Sequence, residues 1–349
     1  MDVIKKKLFG EINLEDEFFD TLKEDYPGFD KWFNKKAEKE EYAFVLDDKG
    51  IQGFLYLKEE NEKCTDIMPN LEAGRRLKVG TFKINAHGTK LGERFIKIII
   101  DEMFKNNFNE TYVTIFEKHD SLIKLLEKYG FIYYGKKESS AGRENVYIKY
   151  LKRIHEDILL DYPKVNIKNN NKFLLAIFPK FHTRMFPDSK LKTEKTHRIE
   201  DISFTNSIEK IYLSGVNLSC YKKGDIVVIY RTKDYDKPAR YSSVATSICV
   251  VEEIKHINSF NNYDEFYNYC IKHSVFTEDE LKSFWKTKRY EYLIKMLYNV
   301  ALDKRPIRRD LIEKAGLDGR KRWAAVDLTD EEFLKILELG DVSESFIID

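Results

Sequence analysis

Apolar and polar positions alternate along much of the first 150 residues, and the alternation changes period at clear breaks. Residues 15–40 carry two patterns of helical period, separated by Tyr26-Pro27-Gly28. The run YAFVLDDKGIQGFLYLK, residues 42–58, has two alternating arms around Asp47-Asp48-Lys49-Gly50 and predicts a β-hairpin. LKVGTFKI (77–84) predicts a strand, AHGTKLG a turn, and ERFIKIIIDEMFKN a helix. TYVTIFE (111–117) predicts the next strand. DSLIKLLEKYG predicts a helix, with Asp120 or Ser121 as N-cap and Gly130 as its stop. FIYYGKK and NVYIKYL, joined around Ala141-Gly142, close the region as a second hairpin. Helices and strands in this order predict a mixed α/β layer around one sheet over residues 1–151.

A charged stretch and the poor core-former NIKNNNK place a linker at 152–171. The pattern then restarts with KFLLAIFPKF, EKIYL (209–213), GDIVVIYR (224–231), SVATSICVVEEI (243–254) and YEYLIKMLYNVAL (290–302) as strands. Helices are expected at 264–273 and 277–289, and together these elements suggest a small α+β barrel over 172–349.

A chain of 349 residues fits two such cores, and 42% hydrophobic and 14% aromatic content are ample to fill them. The net charge of +1 excludes a strong global field as the means of partner selection. The four cysteines, Cys64, Cys220, Cys249 and Cys270, show no C-x-x-C spacing, so no metal site or disulfide framework is expected. The N-terminal MDVIKKKLFGEINLEDEFF lacks a signal-peptide apolar run, and no stretch has membrane-span length. The expectation is a reduced, cytoplasmic protein without membrane contact. The abundance of Lys, Asn and Ile fits an AT-rich bacterial genome.

The candidate chemistry centres on TFKINAHGTKLGERF, residues 81–95. A strand runs into a loop with two glycines, and the second opens a helix whose free N–H groups suit a pyrophosphate. Lys90 and Arg94 add cations on the same turn. Spacing alone leaves an ordinary strand-to-helix turn as the other reading. The segment resembles the acetyl-coenzyme A loop of the GNAT superfamily, Arg/Gln-x-x-Gly-x-Gly/Ala, aligned as His87-Gly88-Thr89-Lys90-Leu91-Gly92. Gly92 matches, whereas His87 and Lys90 depart from the pattern. HDSLIKLLEKYGF resembles the second hallmark of the family, a helix ending in Gly-Phe, here Gly130-Phe131.

The resemblance implies a GNAT fold and an acetyl-CoA-dependent N-acetyltransferase, in which an amine attacks the thioester directly. It implies that the pantetheine arm lies along Phe82, Lys83 and Ile84, and that the pyrophosphate rests on His87, Gly88, Thr89, Lys90, Leu91, Gly92 and Glu93. The amine must lose a proton and the thiolate leaves more readily if it gains one. The position of the family's acid tyrosine falls on Leu126, and the nearest tyrosine, Tyr129, is either that acid or a packing residue. The position of the family's asparagine falls on His119, which is either a proton acceptor or a helix cap. Glu117 and Glu72 are the remaining base candidates, or solvated loop charges. The departures leave open a domain that binds acetyl-CoA without turnover.

In the second half, KKGDIVVIYR (222–231) and SSVATSICVVEEI (242–254) resemble the core of the PUA-like group, which includes the ASCH and EVE families. That resemblance implies binding of RNA or of modified bases in DNA. Lys286, Lys288 and Arg289 flank Trp285 and Tyr290; Lys304, Arg305, Arg308 and Arg309 form a second cluster, and Arg320, Lys321 and Arg322 a third beside Trp323. Clustered cations suit phosphates and aromatic planes suit bases, but acids are as frequent nearby and each cluster also reads as a solvated face. His182, in PKFHTRMFP, reads as structural or pocket-lining. Three functional expectations follow: an N-acetyltransferase whose acceptor is RNA-linked or nucleic-acid-associated, a non-catalytic acetyl-CoA sensor that binds nucleic acid, or a small-molecule or protein acetyltransferase whose second domain builds a cleft wall or a homodimer contact.

Overall fold

The computed structural model describes residues 4–47, 50–85, 91–186, 207–233 and 237–348. The chain divides into two compact units, Met1–Asp161 and Tyr162–Asp349.

The first unit contains strands β1 (Lys5–Leu8), β2 (Tyr42–Asp47), β3 (Ile51–Glu60), β4 (Ile67–Met68), β5 (Arg76–Ile84), β6 (Glu110–Ile115), β7 (Ile132–Ser139) and β8 (Gly142–Tyr150). Its helices are α1 (Asp20–Asp25), α2 (Phe29–Glu38), α3 (Leu91–Lys105) and α4 (Asp120–Lys128). The strands form one sheet in the order β1-β2-β3-β5-β6-β8-β7-β4. The β5–β6 pair is parallel and its neighbours are antiparallel. Helix α3 forms because Phe95, Ile96, Ile99, Ile100 and Met103 fall on one helical face, and all five are fully buried. An aromatic cluster of Phe9, Phe19, Phe29, Phe33, Phe54 and Tyr56 joins α1 and α2 to β3. Its edge-on contacts include Phe9–Phe33 at 4.8 Å and Phe19–Phe54 at 5.4 Å between ring centroids.

The break expected at Tyr26-Pro27-Gly28 separates α1 from α2. The N-cap of α4 is His119, ahead of both expected caps, Asp120 and Ser121, and its ring makes no capping hydrogen bond. Its carbonyl instead accepts from the amides of Leu122 and Ile123.

The second unit contains β9 (Val165–Asn166), β10 (Lys172–Ile177), β11 (Glu209–Ser214), β12 (Ile226–Arg231), β13 (Val244–His256), β14 (Tyr292–Ala301), β15 (Ala325–Leu328) and β16 (Ile347–Ile348). Its helices are α5 (Pro179–Met185), α6 (Ala239–Ser242), α7 (Tyr263–Ile271), α8 (Glu278–Thr287), α9 (Arg308–Glu313) and α10 (Asp330–Leu339). Six strands form a mixed sheet, β11-β14-β13-β12-β10-β15, and β9 pairs with β16. β10 and β12 run parallel. The order has two ends, so among the described residues the suggested barrel is an open sheet. The strand expected through KFLLAIFPKF stops at Ile177, because Pro179 occupies the first turn of α5, where its fixed φ and missing N–H are harmless. Capping boxes, Thr277 with Glu280 and Thr329 with Glu332, start α8 and α10. No described helix is long and apolar enough to cross a membrane.

Candidate active site

The parallel strands β5 and β6 pair only from Leu77–Val79 to Thr111–Val113, then part. β5 continues to Ile84 while still bonded to β3 on its other side. The separation coincides with a bulge: Tyr56 pairs with Thr81 and Leu57 with Val79, which leaves Gly80 without a partner on β3. Beyond Val79, the β6-facing edge of β5 has no strand partner among the described residues. Such an edge is a ready template for an extended, amide-bearing ligand.

A cavity of about 770 Å³ opens at this gap. Its lining includes Gly80 to Ile84 from β5, Val113 to Ile115 from β6, and the Tyr26–Gly28 turn between α1 and α2. The β7–β8 turn contributes Ser139, Ser140 and Ala141, and the start of α4 contributes Lys118 to Leu122.

Glu144 on β8 is the buried carboxylate in this lining, 4% exposed. It accepts hydrogen bonds from the Tyr26 hydroxyl at 2.8 Å and from Thr114 Oγ1 at 3.2 Å. These bonds hold the α1–α2 turn over β8 and fix the carboxylate rotamer. Burial, then the adjacent Glu144 carboxylate, push the Tyr26 hydroxyl far above its ordinary range, so it stays a donor. Tyr56, also in the lining, donates to Glu41 and accepts from Lys36 Nζ at 2.8 Å.

Of the residues singled out from sequence, Phe82, Lys83 and Ile84 line the cavity. Lys83 turns toward α1, where its Nζ donates to Thr21 Oγ1 at 2.6 Å and to the Phe18 carbonyl. His119 also lines the cavity, with Nε2 3.9 Å from the Asp25 carboxylate. Burial, then Lys118, lower its pKa, so the imidazole is neutral near pH 7 and can accept a proton. Tyr129 is not in the lining. It is fully buried at the C-cap of α4, where its carbonyl accepts from Lys149 Nζ at 2.7 Å. Glu117 is exposed between β6 and α4, and Glu72 pairs with Lys63 at 2.9 Å; neither lines the cavity.

His87, Gly88, Thr89 and Lys90 lie outside the described residues. Leu91, Gly92 and Glu93 form the buried first turn of α3. A Cβ on Gly92 would lie 2.5 Å from Leu125 Cδ2 and 3.3 Å from Ile84 Cδ1. Gly92 is thus where α3 closes on α4 and β5. Gly92→Trp is expected to force these elements apart and abolish acetyl-CoA binding, as measured by calorimetry, whereas unaltered affinity would displace the ligand from this turn.

Glu144, Tyr26 and Thr114 were not singled out by pattern. A signal was present in β8: Glu144, Val146 and Ile148 share one face of the strand, and the latter two are fully buried. A carboxylate in register with a core face marks a buried polar site.

In the second unit the expected nucleic-acid residues fall on two segments. Lys286 and Arg289 are exposed around the end of α8, and Lys288 Nζ lies 3.0 Å from the Trp285 ring centroid. Arg308 stacks on Trp323 at 4.1 Å, and Arg309 pairs with Asp310 at 3.4 Å. Arg305 is half-buried. Acid partners thus offset part of the second cluster. His182 is fully buried, 2.8 Å from Thr246 Oγ1, and burial, with Arg231 and Arg305 nearby, pushes its pKa down to about 3.

No family model matches the chain, and no curated protein matches it. Among solved structures, the chain is similar to an ASCH protein from Zymomonas mobilis, with 13% identity over 48% of this chain and 94% of that one, at a TM-score of 0.31. It is also similar to a GNAT-family acetyltransferase from Streptococcus agalactiae, with 15% identity over 43% and 96%, at a TM-score of 0.31. A third is the NatC complex bound to a Gag peptide and CoA, with 16% identity over 43% and 99%, at a TM-score of 0.30. The structural neighbours of this chain are therefore N-acetyltransferases and ASCH proteins, at low identity and partial coverage.

Proposed function

We propose that the first unit is an acetyl-CoA-dependent N-acetyltransferase. The observation that carries this reading is the parting of β5 from β6 at the Gly80 bulge, directly above a chamber holding a buried, hydrogen-bonded carboxylate. The open edge of β5 fits the extended, amide-bearing arm of coenzyme A, and Phe82 to Ile84 would run beside it. When bound, acetyl-CoA supplies an activated acetyl thioester.

The chain's own groups then have separate tasks. Backbone N–H groups on the β6-facing edge of β5 beyond Val79 are suited to hold a carbonyl oxygen. Glu144 takes the proton that an ammonium must lose to become a nucleophile, directly or through one water. His119, neutral near pH 7, is a second acceptor in the chamber lining. Tyr26 keeps Glu144 oriented and remains protonated. For the second unit the reading extends to nucleic-acid contact, for which exposed Lys286 and Arg289 beside Trp285 and Tyr290 supply cations and stacking planes.

Release of free thiol from acetyl-CoA, dependent on both protein and a primary amine, tests the transferase reading. Saturable acetyl-CoA binding without thiol release from any amine would favour the non-catalytic sensor.

A further inference from the structure

Three lysines form one wall of the chamber on the sheet face that carries Glu144. Lys58 on β3 pairs directly with Lys78 on β5, so both side chains leave the same face. Lys78 in turn faces Tyr112 on β6, with Nζ 5.3 Å from that ring centroid. Lys137 on β7 is the cross-strand partner of Glu144 and also lines the cavity.

Among the described residues, two carboxylates, Glu60 and Asp66, lie within ion-pair distance of these three lysines. Lys58 and Lys78 share one carboxylate oxygen of Glu60, at 3.5 and 3.6 Å. That carboxylate is already engaged by the Tyr112 hydroxyl and the Cys64 thiol. These contacts and the lysines hold Glu60 ionised, with its pKa lowered to about 2 against the opposing effect of burial. Lys137 pairs at 3.0 Å with Asp66, whose side chain is half exposed to water. Burial lowers the pKa of Lys78, Lys137 and Lys58 add to that effect, and Glu60 opposes it. The third carboxylate on this face, Glu144, stands across from Lys137 and is held by Tyr26 and Thr114. Once the ammonium of an acceptor or its proton neutralises Glu144, three ammonium groups face one shared carboxylate and one solvated one, and an arriving anion stabilises them.

We propose that Lys58, Lys78 and Lys137 form a subsite for an anionic group, carboxylate or phosphate, carried by the amine acceptor. This rests on the transferase reading for the word acceptor, though not for the anion itself. The placement follows from the sheet: Lys137 stands opposite Glu144, so an amine at Glu144 puts its anionic substituent against the wall. The same wall disfavours polyamines, whose second cation would meet three like charges.

The test is calorimetric binding to the full chain, saturated with CoA, of three amines: O-phosphoethanolamine, glutamate and 1,4-diaminobutane. The anionic amines should bind at least about tenfold more tightly than the diamine, a factor that one charge-assisted contact supplies. The ratio between the first two distinguishes phosphate from carboxylate. Lys78→Met and Lys137→Met should each weaken the anionic amines by about tenfold and leave CoA affinity, which also reports folding, within about twofold. Tighter binding of the diamine, unchanged affinities in both variants, or a loss confined to CoA would overturn the subsite. Anionic amines that bind through Lys78 yet release no thiol would count against the transferase and leave the subsite standing.

Discussion

Replacing Glu144 with glutamine is expected to lower kcat/KM for acetyl transfer by about 10²- to 10⁴-fold, the usual contribution of a positioned proton acceptor. Acetyl-CoA affinity should change by less than about twofold, because the glutamine side chain retains an oxygen for the Tyr26 hydroxyl and for Thr114 Oγ1. The substitution preserves shape and removes the negative charge and the basicity. The separation of kcat/KM from cofactor affinity distinguishes this from local unfolding. A fall of less than about tenfold, far below the usual range, would pass the role to His119, which also lines the chamber. His119→Gln would then carry the large loss.

The second large effect is structural. Gly130→Ala is expected to destabilise the first unit by about 3–5 kcal/mol, combining a left-handed backbone with a close steric clash. Gly130 has φ of +81°, and a Cβ there would lie 2.2 Å from the Leu160 carbonyl oxygen and 2.8 Å from Lys149 Nζ. The obstacle is backbone, which cannot rotate away as a side chain can. Lys149, buried, donates at this point to the carbonyls of Tyr129 and Leu160 at 2.7 and 2.9 Å. The inserted methyl group therefore strikes the place where α4 ends and where residues 152–161 return to the sheet. A loss of this size lowers the melting temperature by roughly 6–20 °C. Thermal unfolding followed by circular dichroism measures it, and a shift of under about 2 °C would mean that the Leu160 carbonyl moves aside freely.

Much of the first unit was legible because its signals are local. Alternation marked the β2–β3 hairpin and β5, a single apolar stripe marked α3, and Gly130 marked the end of α4. What could not be read is what depends on pairing between distant strands. The Tyr26–Glu144 bond joins residues 118 positions apart, so neither residue announced a partner. The parting of β5 from β6 is likewise a property of two strands, invisible in LKVGTFKI or TYVTIFE taken singly. His119 was legible as a candidate because its position followed from a motif. Tyr129 has the residue type of an acid, but it is fully buried and does not line the chamber. In the second unit α10 went unread, although Thr329 and Glu332 carry the spacing of a capping box. β15, four residues long, is too short to show a period.

The roles given to Glu144, His119 and Tyr26 in acetyl transfer require that the gap between β5 and β6 seat coenzyme A. Isothermal titration of the full chain with acetyl-CoA tests this most directly. Saturable binding at one site per chain, lost in Gly92→Trp and retained in Glu144→Gln, is the expected result. Absence of binding by the unmodified protein at millimolar ligand would contradict it.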